Sequence, residues 1–368
     1  MIIHIISRDK FTNDYIRFMI SQFKEIDHIF FTNKNTTGLH KIYPATGCEL
    51  YEIGGISEIA GKDEYLEMCR NAEKIVISGV FNLCDIDGLN SLIEKKLLHK
   101  TFFQFWGGDF YCYRVSPDST RSFVRKFLLF HAFREAAGLI FLIDGEYEKF
   151  ETITGISNRH FVAPMPGDPD NRVDFAALRS QFVKNGETVN IIVGNSATPT
   201  NHHEEVFSML QHFADCNIRI YCPLSYGDVK YGETVSESGK KIFGDKFNPL
   251  LDFMERDEYM KFLTKMDIGI FYNDRQQAMG NIKALLRLGK KLFLRTKTSM
   301  WINFLNQGFK VYDAGTLGNL SPEELTFFEN KDRTNNILLG DTLSHPEKSR
   351  ERWDTVFKSE LLDQTDKK

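Results

Sequence analysis

Short apolar runs alternate with amphipathic helical stretches along most of this chain, and that alternation restricts the fold more than any other feature of the sequence. In the first half the strand candidates are Ile2 to Ile6, Ile75 to Ser78, Thr101 to Phe105, Leu139 to Ile143 and His160 to Ala163. Helical patterns such as Asp14 to Phe23 and Asp63 to Asn71 lie between them. Strands that are apolar throughout, separated by helices, belong in a parallel sheet with crossover helices on both faces. The pattern breaks at Pro164 to Glu187, where PMPGDPDNR carries three prolines and a glycine, a composition suited to a connection between domains. It then restarts with strands at Val189 to Val193, Ile218 to Cys222, Ile268 to Tyr272 and Lys291 to Leu294. Helices are expected through Val206, Leu210 and Phe213, over Arg256 to Lys265, and around Asn281 to Leu288.

The expected fold class is therefore α/β, with two Rossmann-like domains whose parallel sheets face across a cleft. The expected boundaries are a first domain over 1–165, a linker over 166–187 and a second domain over 188–345. A C-terminal helix within 346–368 is expected to pack back on the first domain. A chain of 368 residues fits two cores better than one. The formal net charge of −4 gives no global electrostatic case for nucleic acid. Cys48, Cys69, Cys84, Cys112, Cys216 and Cys222 form no C-x-x-C pair and no zinc-ligand spacing, so they read as reduced thiols of a cytoplasmic protein. MIIHIISRDK reads as a first buried strand rather than a signal peptide. No apolar run reaches the roughly 20 residues of a spanning helix, so any membrane contact is expected to be peripheral.

Two junctions in the second half carry ligand-binding chemistry. In IIVGNSATPTNHHEE (residues 191–205) a strand ends in Gly194, Asn195 and Ser196, and a helix follows. Ligands of open α/β sheets bind beyond the carboxyl ends of strands, where helix N-termini offer free N–H groups to phosphates. Gly194 would permit close backbone approach, and Ser196, Thr198 and Thr200 add hydroxyls. Asn201 with Glu204 three residues later fits a capping box. The alternative is an ordinary strand–loop–helix junction whose polar groups only cap. At the second junction, strand Ile268 to Tyr272 leads into Asp274, Arg275, Gln276 and Gln277, then a helix opening near Gly280 and Asn281. Arg275 can grip a diphosphate bidentately, the glutamines can meet sugar hydroxyls, and Gly280 leaves room against the backbone. A solvated, purely structural Arg275 is the other reading. Neither a Walker loop nor G-x-G-x-x-G occurs, which speaks against a dinucleotide enzyme.

In the first half, FFQFWGGDFYCYR (residues 102–114) places Asp109 after Gly107 and Gly108 at a strand exit. A carboxylate there could take the proton from an attacking hydroxyl, while Trp106, Phe110 and Tyr111 could stack on sugar or apolar groups. Capping by Asp109 and core packing of Trp106 stand as the alternative. Ser7, Asp9, Asn82, Trp106 and Gly108 are candidates for the same acceptor-side surface, and His4 is either another or a satisfied core residue. From Arg114 to Gly138, five basic side chains (Arg114, Arg121, Arg125, Lys126, Arg134) stand against Asp118 and Glu135. Phe123, Phe127 and Phe130 share one helical face. A basic helix with an aromatic face suits an anionic bilayer surface, with Arg121, Phe123, Arg125, Lys126 and Phe127 as the patch. The other reading is a core-facing helix with a solvated basic side.

The motifs IHIISRD, GVFN, FWGGDFY, IIVGNSATPTNHHEE, the CPLSYG segment and MDIGIFYNDRQQAMG resemble glycosyltransferase family 56, from the first strand to about Phe304. The resemblance implies GT-B architecture with the nucleotide in the second domain. It also implies transfer of a 4-acetamido-4,6-dideoxygalactose-type sugar from a TDP-sugar to a polyprenyl-diphosphate-linked oligosaccharide. No metal or other cofactor is expected, and attachment is expected to be peripheral, on the inner face of the cell membrane. By position, the family likeness puts Asn195, Ser196, Tyr226, Arg275, Gln276 and Gln277 around the donor and Asp109 near the acceptor. The chain departs from the enterobacterial type at Gly108, at AMGN (residues 278–281) and through the tail from Asn306. A soluble or protein acceptor, another nucleotide sugar, and a non-catalytic nucleotide-sugar-binding protein are the competing functions.

Overall fold

The computed structural model describes residues 1–35, 41–43, 48–114, 119–167, 173–181 and 186–361, with the side chains of Phe81 and Asn82 outside that description. The chain forms two compact units, Met1–Arg172 with His345–Lys368, and Val173–Ser344. Residues 168–172 and 182–185 of the expected linker lie outside the described residues, as does Asp118. Between them the linker is not featureless. Phe175–Gln181 is a helix whose Arg179 binds Asp341 and the carbonyl of Arg287, so this stretch belongs to the second unit.

The first unit is built on a seven-stranded sheet of β1 (Ile2–Ile6), β2 (His28–Asn33), β3 (Glu49–Ile53), β4 (Lys74–Ser78), β5 (Thr101–Phe105), β6 (Gly138–Phe141) and β7 (His160–Val162). The order is β3-β2-β1-β4-β5-β6-β7, parallel throughout. β1, β4 and β5 are buried along their whole length, which explains their mostly apolar sequences. β2 and β3 escape a sequence reading because HIFFTN has polar residues at both ends and ELYEI carries two glutamates, the latter on an edge strand with exposed positions.

Helix Pro346–Phe357 is part of this unit. Its Trp353 is fully buried, donates Nε1–H to the Pro164 carbonyl at 3.0 Å and meets Tyr15 edge-on at 5.5 Å. Lys74 Nζ donates to the Phe357 carbonyl at 2.9 Å, satisfying one of the orphan carbonyls at the helix end. His4 lies in this core, not at a ligand surface. Its ring nitrogens meet Tyr15 Oη at 2.8 Å and His28 Nδ1 at 2.9 Å, and the ring stacks on Phe30. Burial and the neighbouring His28 push its pKa well below the usual histidine value.

The second unit repeats the scheme with β8 (Val189–Val193), β9 (Ile218–Pro223), β10 (Phe247–Leu250), β11 (Ile268–Phe271), β12 (Lys291–Leu294) and β13 (Tyr312–Asp313). Their order is β10-β9-β8-β11-β12-β13, again all parallel. β10 contains Pro249 and sits at the sheet edge, where a missing N–H is tolerated. In both units the strand order reverses beside the first strand, between β1 and β4 and between β8 and β11. That reversal opens a crevice outside the strand ends, the place where such sheets bind ligands.

Candidate functional site

In the second unit the loops following β8, β9 and β11 are joined to one another. Asn201, expected as a helix cap, is instead completely buried beneath them. Its Oδ1 accepts from the backbone N–H of Asn195 at 3.1 Å and from Asn273 Nδ2 at 2.9 Å. Its Nδ2 donates to the carbonyls of Ser196 and Thr198 at 3.2 and 3.1 Å. The helix begins only at His203, capped by His202 in the left-handed region with no side-chain cap bond. The capping-box expectation therefore fails: an asparagine that closes a loop upon itself has no bond left for a helix end.

Several groups of the β8 loop that looked available to a phosphate are used internally. Gly194 N–H donates to the Ile270 carbonyl, Ala197 N–H to Tyr226 and Thr198 N–H to Ser196. Gly194 has φ +68°, and a Cβ there would lie 2.5 Å from His203 Nε2 and 2.9 Å from Asn201 Oδ1. Its close backbone approach thus accommodates the protein's own side chains. Ser196 is buried, with Oγ 2.9 Å from Thr198 Oγ1. Asn195 donates Nδ2 to Tyr226 Oη at 2.9 Å, tying the β8 loop to the β9 loop, while Oδ1 is buried without a protein partner.

The β11 loop differs. Gln277 is a tether, accepting from Thr200 Oγ1 at 2.8 Å and donating its backbone N–H to Met300 Sδ. Gln276 is 8% exposed, and its Oε1 is buried with no protein partner. Arg275 Nη1 donates to the Gln276 carbonyl at 3.3 Å. Helix Met279–Arg287 follows, capped by Ala278 in the left-handed region. Ile282 is the first residue bonded back to Ala278, so the amides of Met279, Gly280 and Asn281 have no acceptor within the helix. Nothing lies within 4 Å of where a Gly280 Cβ would stand. Asn281 turns its Nδ2 to Tyr259 Oη at 2.9 Å. Asp274 stands beside these groups but is occupied by Arg295, and it lies 2.7 Å from His202 Nε2 without an aligned hydrogen bond.

In the first unit, Ser7, Gly79 and Trp106 follow β1, β4 and β5 and come together. Gly79 has φ +83°, and a Cβ there would lie 2.7 Å from Ser7 Cβ and 3.7 Å from the Trp106 ring. Asp9 Oδ1 and Trp106 Nε1 are both buried without protein partners. Gly108 is exposed in the turn after β5. Asp109 closes that turn, its Oδ2 accepting from the Trp106 N–H at 2.6 Å. Asn82 lies in helix Val80–Leu83, but its side chain falls outside the described residues.

Helix Thr120–Glu135 buries Leu129, Ala132 and Phe133 in its C-terminal half. Phe130 packs against Tyr113 and Phe133, whereas Phe123 and Phe127 are 62% and 67% exposed. The three phenylalanines therefore do not act as one face. Arg121 is exposed, Arg125 Nε donates to the Cys84 carbonyl at 2.9 Å, and Lys126 Nζ lies over the Tyr113 and Phe130 rings.

Among the described residues no helix is long and apolar enough to cross a membrane, and no group of three His, Cys, Asp or Glu is placed to hold a metal ion. A sequence reading takes Asn201 for a helix cap and misses Asn273 altogether. Asn273 stands two positions past β11 and Asn201 eight past β8, and nothing in the sequence pairs two asparagines 72 positions apart.

Residues 8–321 match the family described as 4-alpha-L-fucosyltransferase glycosyl transferase group 56. Among solved structures, sucrose-phosphate synthase from Thermosynechococcus elongatus superposes with TM-score 0.71 at 10% identity, over 97% of this chain and 98% of that one. An alpha,alpha-trehalose 6-phosphate synthase from Burkholderia multivorans gives TM-score 0.65 at 11% identity, over 97% and 96%. A trehalose-6-phosphate protein from E. coli bound with UDP-2-fluoro glucose gives 0.62 at 11% identity, over 98% and 100%. At such identities the likeness establishes the fold, that of GT-B glycosyltransferases with two Rossmann-like domains.

Proposed function

The chain belongs to glycosyltransferase group 56 and is a glycosyltransferase; from that premise we propose that it moves a 4-acetamido-4,6-dideoxygalactose-type sugar from a TDP-sugar to a polyprenyl-diphosphate-linked oligosaccharide. Fucose, named in the family description, is itself a 6-deoxygalactose. The observation that carries the donor assignment is the β11 junction. Arg275, the first-turn amides of helix Met279–Arg287 and the open space at Gly280 together suit an anionic group held against backbone. Asn195 and Gln276 each keep a buried polar atom without a protein partner, which suits the hydroxyls or amide of a sugar beside that anion. The E. coli neighbour was captured with a nucleotide-sugar analogue, which supports the same donor class.

In the proposed reaction the acceptor hydroxyl oxygen bonds to the anomeric carbon as the bond from that carbon to the diphosphate oxygen breaks. The charge leaving with the diphosphate is met by the Arg275 guanidinium and the helix amides, with no metal ion required. Asp109 takes the hydroxyl proton, and Ser7, Asp9, Asn82, Trp106 and Gly108 line the acceptor side. Gly194, Ser196, Tyr226, Gln277 and Asn281 frame the donor site through the loop contacts described above. Arg121, Phe123, Arg125, Lys126 and Phe127 rest on the anionic cytoplasmic face of the membrane, where the lipid-linked acceptor is found. The test is turnover with purified protein, TDP- and UDP-sugars, and a polyprenyl-diphosphate oligosaccharide in mixed micelles without divalent metal. Release of nucleoside diphosphate that depends on the lipid-linked acceptor is expected. Equal turnover on the lipid-free oligosaccharide would remove the lipid-linked assignment, and binding of nucleotide sugar with no transfer would remove the reaction.

A further inference from the structure

Asn201 and Asn273 form a buried link across the point where the second sheet reverses its strand order. Asn201 lies in the loop after β8 and Asn273 two positions past the end of β11, and both are completely buried. The orientation of this link follows from groups that cannot exchange roles. A backbone N–H only donates and a backbone carbonyl only accepts. The Asn195 N–H at 3.1 Å therefore fixes one side-chain atom of Asn201 as oxygen, and the carbonyls of Ser196 and Thr198 fix the other as nitrogen. Asn273 must then present its NH2 group to Asn201 Oδ1, as it does at 2.9 Å. With the 3.3 Å contact from Nδ2 to Ser196 Oγ, Asn201 touches four residues on two loops. An uncharged carboxamide buried so deeply is costly unless all its bonds are made, so it favours one arrangement of both loops.

We infer that Asn201 is the positioning residue of the sugar subsite, acting through Asn273. This rests on the reading that the second unit binds a nucleotide sugar. Asn195 stands on one side of the link and Gln276 on the other, each with a buried polar atom that no protein group satisfies. Their separation is set by the bond between Asn201 and Asn273, together with the bond from Thr200 Oγ1 to Gln277 at 2.8 Å and that from the Asp274 N–H to the Thr200 carbonyl at 3.1 Å. The diphosphate groups proposed above, Arg275 and the first turn of helix Met279–Arg287, lie beyond the link on the β11 side alone. Loosening it therefore misplaces sugar contacts while leaving diphosphate contacts largely intact.

The experiment uses the full chain and calorimetry with four probes: UDP, UDP-glucose, dTDP and dTDP-glucose. The quantity read is the affinity for the sugar nucleotide divided by that for its bare diphosphate, in the wild type, Asn201→Ala, Asn273→Ala and the double variant. Each single variant is expected to keep diphosphate affinity within about threefold and to lower the ratio about tenfold, the loss of one or two well-placed hydrogen bonds. The double variant is expected to lower it no further, because both changes break one link. A role confined to folding predicts lower melting temperatures with an unchanged ratio, and that result overturns the inference. So does a wild-type ratio near one, since no sugar contact is then being positioned. A wild type that binds none of the probes removes the donor-site reading and this inference with it. Asn273→Ala, which leaves the internal bonds of the 194–201 loop in place, carries the same test if Asn201→Ala does not fold.

Discussion

Replacing Arg275 by alanine removes the positive charge proposed to meet the donor diphosphate. The side chain is half-buried, and its Nη1 donates to the Gln276 carbonyl at 3.3 Å. A hydrogen bond to a charged partner contributes about 1.5–3 kcal/mol net. With about 1.4 kcal/mol per tenfold, the Kd for UDP or dTDP rises roughly 10- to 150-fold. The contrasting perturbation is Thr200→Val, which removes the bond to Gln277 but no positive charge, and should change diphosphate affinity by about threefold or less. Calorimetry on both variants and the wild type at low and high salt gives the comparison. Salt should weaken wild-type binding more than Arg275→Ala binding, because screening acts on the charge that the variant lacks. Unchanged affinity in Arg275→Ala, or an equal loss in Thr200→Val, would refute the assignment of the diphosphate to the β11 junction.

Asp109→Asn keeps an oxygen able to accept from the Trp106 N–H, so the turn should hold while turnover falls about 10²- to 10⁴-fold with nucleotide affinity intact; near-normal turnover would exclude Asp109 as the base. Trp353→Ala should cost about 3–5 kcal/mol in denaturant unfolding, because a completely buried indole and its bond to Pro164 are lost, and a change under about 1 kcal/mol would show that the tail helix contributes little. Phe123→Glu with Phe127→Glu should reduce co-sedimentation with anionic vesicles at least tenfold without lowering the melting temperature, since both rings are already exposed; equal sedimentation would put the membrane surface elsewhere. Burial holds His203 and His28 at about 4 and His4 well below its usual value, whereas all three titrate near 6.5 in the unfolded chain. The unfolded chain therefore binds more protons between those values, so these histidines take stability away as pH falls from about 6.5 toward 4 and add no slope above it. A melting temperature that does not change between pH 7 and pH 5 would contradict this.

The periodicity of the sequence already determined that the chain is a pair of parallel α/β units, and it located β1, β5, β8 and β12 residue for residue. Strands buried on both faces are apolar at most positions, so their runs stand out in the sequence. The same logic fails at the sheet edges, where β3, β10 and the two-residue β13 carry Glu, Pro or Asp and have no continuous apolar run. Loop motifs were legible as types of residue but not as partners. Gly194 and Asn201 read as a phosphate loop and a helix cap, yet the fold turns both inward, because the sequence states which bonds a side chain can make and only packing states which partner arrives. Likewise the regular spacing of Phe123, Phe127 and Phe130 was plain, but not that the core reaches only the last of them. What tertiary structure alone decided is the meeting of Asn201 with Asn273, two residues brought together by the pairing of β8 with β11. Contacts between distant loops arise from sheet order, and sheet order is a property of the assembled strands rather than of any one segment.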